Sequence, residues 1–274
     1  MGWEGSLDHE ARARASRCGW AASRASRAPA LGGNGSRGPL PPRGTSTQPR
    51  VRRSRTVFEA RSPLSGRIRV IDDGIERRLI VRGDTLSVYP LDGDWTRLRR
   101  EYWWRALVAL PLPRRPSALF VGLGGGTQIH LLRWLRRPRA LTVIERDPVI
   151  LRVANEWFGL GRLGGIEFLC GDAAVAVPTL TRAGRRFDFV MEDATYSDEA
   201  ERSLRLAEAL VPLVSPGGLL VLNRHRRRDA GELATALRSH FREVRLHRVR
   251  REAENVLVCG ARPLRPRGGR RDSV

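Results

Sequence analysis

Residues 118–127 read ALFVGLGGGT, and this stretch decides the fold. A short apolar run passes into a bend with glycines at Gly122, Gly124, Gly125 and Gly126, and Thr127 leads into a helical pattern over 128–135. A run with no polar alternation is what a strand covered on both faces requires. Glycines let the chain turn tightly and let a ligand approach the main chain. The helix start that follows offers unpaired N–H groups.

Working outward, strands and helices alternate. Strands are expected at 140–144, 166–169, 187–192 and 219–223, with helices at 148–158, 203–214 and 230–241. Pro148 suits a first helical turn, Asp147 reads as its cap, and the tetrad 215–218 (SPGG) reads as a turn. Two last strands, 244–249 and 255–259, have no helix between them, so they must be antiparallel. The expected fold class is α/β: a doubly wound, mostly parallel seven-stranded sheet, Rossmann-like, with helices on both faces. Ahead of it, 57–96 reads as a small β-unit, with strands at 66–70, 79–81 and 85–89 and a hairpin signal at Asp73-Gly74. Residues 97–110 read as one helix, stopped by Pro111 and Pro113, and 97–261 as the nucleoside-binding domain.

Three carboxylates recur at the ends of these strands. Glu145 closes the second strand, 21 positions after Gly124, where an acid can take both hydroxyls of a ribose. Asp172, followed by Ala173, closes the third, where a carboxylate can accept from the exocyclic amine of adenine. Asp193 follows the fourth. Each residue alone reads equally well as a turn glycine or a helix cap; together they describe a nucleoside site on one edge of the sheet.

Composition excludes several alternatives. All 50 cations among the 274 residues are Arg, since the chain contains no Lys. A Walker-type phosphate loop, a Schiff-base lysine and a kinase-type Lys–Glu pair are therefore ruled out. The formal charge is +21. Residues 1–56 hold 11 Arg against Glu4, Asp8 and Glu10, and residues 262–274 hold five against Asp272, so more than half the excess sits in two tails. Both tails, rich in Arg, Gly, Pro and Ser, are expected to be disordered. The charge is read as a compositional bias, with no specific nucleic-acid partner and no membrane span. Cys18, Cys170 and Cys259 show no paired spacing, and the five His show no metal spacing, so a reducing, cytoplasmic setting without a metal is expected.

Five segments carry a family likeness: LFVGLGGGT at 119–127, VIERDPV at 143–149, ANEWF at 154–158, GDAA at 171–174 and FDFVMEDA at 187–194. With GDTLSVYPL at 83–91 and Glu101-Tyr102, the chain resembles the spermidine synthase (polyamine aminopropyltransferase) family, within the class I S-adenosylmethionine-dependent transferases. The resemblance covers about residues 66–260. It implies that Gly122, Gly124, Gly125, Gly126 and Thr127 frame the aminoacyl or sulfonium end of S-adenosylmethionine or its decarboxylated form. It further implies Glu145 on the ribose, Asp172 with Ala173 on the adenine, and Asp193 as the catalytic acid that helps deprotonate an attacking amine. A homodimer is implied in the same way.

Two departures bear on the acceptor. The family's Gly-Gly-Asp-Gly loop carries an acid for the aminopropyl amine, and Thr127 stands in that region. Its Asp-Ser-Ser-Asp block reads Asp193-Ala194-Thr195-Tyr196, so Tyr196 replaces the diamine-binding acid as the second candidate catalytic position. Each lost charge-assisted bond is worth roughly 1.5–3 kcal/mol, so a diamine would bind about two to four decades more weakly. The readings are aminopropyl transfer to an amine, methyl transfer from intact S-adenosylmethionine to another acceptor, or nucleoside binding without catalysis. Tyr89, Tyr102, Trp103 and Trp104 are read first as core packing, with the shaping of an acceptor pocket as the alternative; Asn223 and His225 are read as ligand-edge residues, His225 also as a candidate base, and Cys170 and Cys259 as buried and inert.

Overall fold

The computed structural model describes residues 54–194, 200–225, 227–250 and 254–264. The glycine bend sits at the centre of a seven-stranded sheet. Its strands are β5 (Ser117–Val121), β6 (Ala140–Glu145), β7 (Ile166–Cys170), β8 (Phe187–Glu192), β9 (Val214–Arg224), β10 (Phe241–Arg250) and β11 (Glu254–Pro263), in the order β10-β11-β9-β8-β5-β6-β7. From β7 to β9 neighbouring strands pair in parallel, and β11 runs antiparallel to both β9 and β10. The chain leaves β5 toward β6 on one side and returns to β8 on the other. That reversal opens a crevice at the carboxyl ends of these strands.

Side chains alternate across β5. Ala118 and Phe120 join one apolar layer with α1 (Tyr102–Val108) and α2 (Thr127–Leu135). Leu119 and Val121 join the other with α4 (Ala173–Arg182), α5 (Ala200–Leu210) and α6 (Arg227–Leu237). All five β5 residues are buried, which is why the run lacks polar alternation. A separate antiparallel sheet, in the order β1 (Arg55–Ser62), β2 (Gly66–Asp72), β3 (Glu76–Val81) and β4 (Asp84–Pro90), precedes it. Its inner face (Ile68, Val70, Leu79, Val81) packs on Ile150 and Val153 of α3 (Pro148–Trp157). Among the described residues no helix is long and apolar enough to cross a membrane.

Several local expectations need correction. Residues 55 and 56, assigned to the tail, begin β1, whose Arg-rich exposed face hid its pairing with β2. The helix expected over 97–110 is two pieces, a 3-10 turn at Trp95–Arg100 and then α1, because Glu101 between them is extended. A helix over 173–182 was not among the expected elements; α4 fills that stretch and carries Pro178 in its interior. The tetrad 215–218 falls within the range of β9 but is looped out of its ladder, since β8 pairs with Val214 and next with Leu219. Cys259 is buried, and burial pushes its thiol up to about 12, but Cys170 is exposed at the end of edge strand β7.

Candidate active site

The parallel strands deliver their ends to one edge in a fixed order. Asp193 follows β8, the bend 122–126 follows β5, Glu145 ends β6 and Asp172 follows β7. Main-chain bonds stitch these ends together. Gly122 N–H donates to Ile144, Gly171 N–H to Glu145, and Asp193 N–H to Val121, each at 2.9 Å.

The bend is constrained by its own neighbours. Gly122 has φ +88°, and a Cβ there would stand 2.8 Å from the Asp193 carbonyl oxygen. Gly124 has φ +53°, and a Cβ there would stand 2.7 Å from Ser87 Oγ. Both positions therefore need glycine for backbone conformation and for close approach. Gly125 and Gly126 back onto Phe158 and Leu160, so that side of the bend is packed by protein. Strand β4 clamps the other side. Ser87 Oγ accepts from Gly125 N–H at 2.7 Å, and the Thr127 hydroxyl accepts from Val88 N–H at 3.0 Å and donates to Val88 O at 2.9 Å. Thr127 thus has its hydroxyl committed to β4.

Glu145 lies beneath the bend. Its Oε2 accepts from Leu123 N–H at 3.0 Å and its Oε1 from Asp147 N–H at 2.9 Å. Burial pushes its carboxyl up, and the two amides pull it back. An ionised carboxylate offers about four lone-pair sites, so these two amides leave about two of them unspent. Asp172 caps α4, with Oδ1 accepting from Ala174 N–H at 2.8 Å, and its other oxygen meets Arg202 at 3.2 Å. Ala173 opens the helix behind it and is buried.

A cavity of about 1170 Å³ opens at this edge between β4, α1, the bend and the end of β9. Gly122, Gly124, Gly126, Thr127, Gln128, Tyr102, Asp193 and Asn223 all line it, whereas Gly125, Glu145, Asp172 and Ala173 lie outside its walls. The structure therefore brings the bend and Asp193 into one cavity, with Glu145 and Asp172 further along the same rim.

Asp193 is held from two directions. The Tyr102 hydroxyl donates to Oδ2 at 2.7 Å, and Asn223 Nδ2 donates to Oδ1 at 2.8 Å. Asn223 also donates to Asn255 Oδ1 at 3.1 Å. Burial raises the Asp193 carboxyl above the usual carboxylate range, opposed by the bonds from Asn223 and Tyr102 and by the charges of His225 and Arg224. Burial, with the Asp193 charge beside it, drives the Tyr102 hydroxyl well above its ordinary value. Next to this group, the fully buried Glu192 pairs with Arg224. Tyr102, read from sequence as packing, thus contacts the candidate catalytic acid; its place after Glu101 in the resembling segment was the available signal. Ser87 was missed as the side chain that holds the bend. Tyr196 lies outside the described residues.

The arrangement suits a nucleoside with an amino-acid tail. The first turn of α2 has no side-chain cap, which leaves a helix N-terminus facing the bend. Among the described residues, Gln128 Nε2 and Asn223 Oδ1, both buried, have no hydrogen-bond partner. Among the same residues no group of three or more His, Cys, Asp or Glu could hold a metal.

No family model matches the chain. It is 32% identical over 155 residues to the eEF1A lysine and N-terminal methyltransferase of Danio rerio, across 52% of this chain and 22% of that protein. It is 29% identical over 114 residues to the polyamine aminopropyltransferase of Vibrio vulnificus, across 40% of this chain and 38% of that one. The chain thus spans between about a fifth and two fifths of the length of these curated relatives. The spermidine synthase of Thermotoga maritima superposes with a TM-score of 0.56 at 10% identity, over 76% of this chain and 72% of that one. The fold is that of the class I S-adenosylmethionine-dependent methyltransferases, and the relatives are transferases of two kinds.

Proposed function

We propose that this chain is an S-adenosylmethionine-dependent methyltransferase that acts on an amine nitrogen seated at Asp193. One observation carries the choice of methyl over aminopropyl transfer. The bend 122–127 contains no carboxylate, and the Thr127 hydroxyl is spent on Val88. A decarboxylated cofactor ends in a free ammonium, and the bend offers no anion to receive it. Intact S-adenosylmethionine carries its own carboxylate and suits an uncapped helix N-terminus.

When bound, the cofactor supplies a methyl group on a sulfonium, whose sulfur keeps the bonding pair when the carbon–sulfur bond breaks. The rest falls to this chain. Glu145 and Asp172 stand where ribose and adenine would lie, and Leu123, held by Glu145, fixes the bend between them. Asp193 accepts an N–H of the acceptor amine, orients its lone pair, and takes the proton released as nitrogen gains its new carbon. Tyr102 and Asn223 fix both oxygens of that carboxylate, so its direction is set before an acceptor arrives.

Aminopropyl transfer remains a second reading, favoured by the antiparallel sheet β1–β4 clamped on the bend, since the superposition on a spermidine synthase extends over 76% of the chain. Isothermal titration of the purified chain with intact and decarboxylated S-adenosylmethionine separates the two. Tighter binding of the intact form is expected. Preference for the decarboxylated form would replace methyl by aminopropyl transfer, and heat from neither would leave no cofactor site.

A further inference from the structure

Three buried polar atoms without partners among the described residues belong to side chains that line the cavity: Gln128 Nε2, Asn223 Oδ1 and Arg224 Nε. Two of them sit at the end of β9, beside Asp193. Gln128 stands apart, in the first turn of α2, immediately after the bend. Only 7% of it is exposed, and a buried amide hydrogen left unbonded is a cost to a folded chain. That cost is met when a ligand accepts the bond.

The chemistry of that ligand follows from the surrounding groups. Thr127 has given its one donor and one of its two acceptor lone pairs to Val88, and Ser87 Oγ already accepts from Gly125 N–H. The α2 terminus has no side-chain cap, and its first turn contains no acid. Gln128 lines the same cavity as the bend, its Nε2 has no partner among the described residues, and the helix turn that carries it holds no anion. The combination selects a carboxylate.

We infer that Gln128 is a specificity-determining residue: its side-chain amide donates to the carboxylate at the amino-acid end of the cofactor and so makes the site prefer the carboxylated form. This rests on the cofactor reading above and deepens it by assigning the preference to one side chain.

The test pairs a change in the protein with a change in the ligand. S-adenosylhomocysteine and its carboxyl methyl ester are titrated calorimetrically into the wild-type chain and into Gln128→Leu. In the wild type the ester is expected to bind about 10- to 100-fold more weakly than the acid, the value of one hydrogen bond to a charged group. In Gln128→Leu the acid's advantage should shrink by about tenfold or more, because the acid loses the amide's bond and the ester does not; what is left is the pull of the helix terminus. A Gln128→Leu chain that keeps the wild-type ratio overturns the role of Gln128 and leaves the cofactor reading standing. A wild type that binds neither compound overturns both. If Gln128→Leu fails to fold, Gln128→Met, of the same length, carries the same comparison.

Discussion

Replacing Tyr102 with Phe tests whether Asp193 is a held carboxylate or a buried residue of no special standing. The substitution keeps the ring, whose centroid lies 4.7 Å from that of Trp103, and deletes only the hydroxyl that donates to Asp193 Oδ2 at 2.7 Å. A hydrogen bond to a charged group is worth about 1.5–3 kcal/mol and a neutral one about 0.5–1.5 kcal/mol. The loss in Tyr102→Phe should therefore fall by roughly 1–1.5 kcal/mol when Asp193→Asn is already in place, which is the coupling a double-mutant cycle reads. The pH dependence follows from the same bond. Tyr102 stabilises the ionised carboxylate, so the coupling should be largest at neutral pH. It should shrink as the pH falls through the folded-state value of Asp193, which burial holds above the ordinary range. Urea unfolding of the wild type, both single variants and the double variant, at neutral pH and in acid, measures all of this without knowledge of the acceptor. A loss for Tyr102→Phe that is the same in the wild-type and Asp193→Asn backgrounds, at every pH, would sink the argument and return Tyr102 to the role of packing.

Asp193→Asn should separate stability from activity. The folded-state pKa of Asp193 is raised, chiefly by burial, so the stability linked to it is present in acid and lost as the pH rises through that value. An amide in its place cannot ionise, so thermal unfolding at neutral pH should be no lower than in the wild type, while transfer is abolished; a variant less stable by more than about 1 kcal/mol would show that the hydrogen bonds outweigh burial. Glu145→Gln should destabilise the chain by about 1–3 kcal/mol and weaken cofactor binding, because one of the amides at Leu123 and Asp147 would face an NH2 group instead of an oxygen. Unaltered unfolding and calorimetry would mean that the bend does not depend on that carboxylate.

The sheet was legible because its signals are local. Four buried residues, Ala118–Val121, wrote most of β5 as an unbroken apolar run, and Asp147 announced α3 by accepting from Val149 N–H, two positions along. The short link between the last strands forced them antiparallel, as β10 and β11 are. Local signals failed where tertiary packing overrode them. Pro178 lies inside α4, although its ring removes a helix bond, because Val177 and Leu180 on either side are buried against the sheet. The chain breaks at Glu101, where sequence suggested a continuous helix, and Tyr102 begins α1 in reach of Asp193. The contacts that shape the cavity are long-range. Tyr102 and Asn223 meet Asp193 across 91 and 30 positions, and Thr127 meets Val88 across 39. No spacing rule connects such residues, so their types could be noticed and their roles could not.

This division explains why a motif can persist while the chemistry beside it changes. The glycines at 122 and 124 are required by the Asp193 carbonyl and by Ser87, and Glu145 is occupied by two main-chain amides. These residues hold the rim together whether or not a ligand is present, and replacing any of them endangers the fold before it touches specificity. Residues with unspent hydrogen-bonding capacity are under no such constraint. Among the described residues, Gln128 and Asn223 each keep a buried atom without a partner, one in the helix turn after the bend and one beside Asp193. An unmade bond is a standing cost to the folded chain, and only a bound molecule relieves it. On the function proposed above, cofactor form and acceptor class would be set at those two positions and at Asp193, where exchange of a side chain would alter what is bound and leave the bend in place.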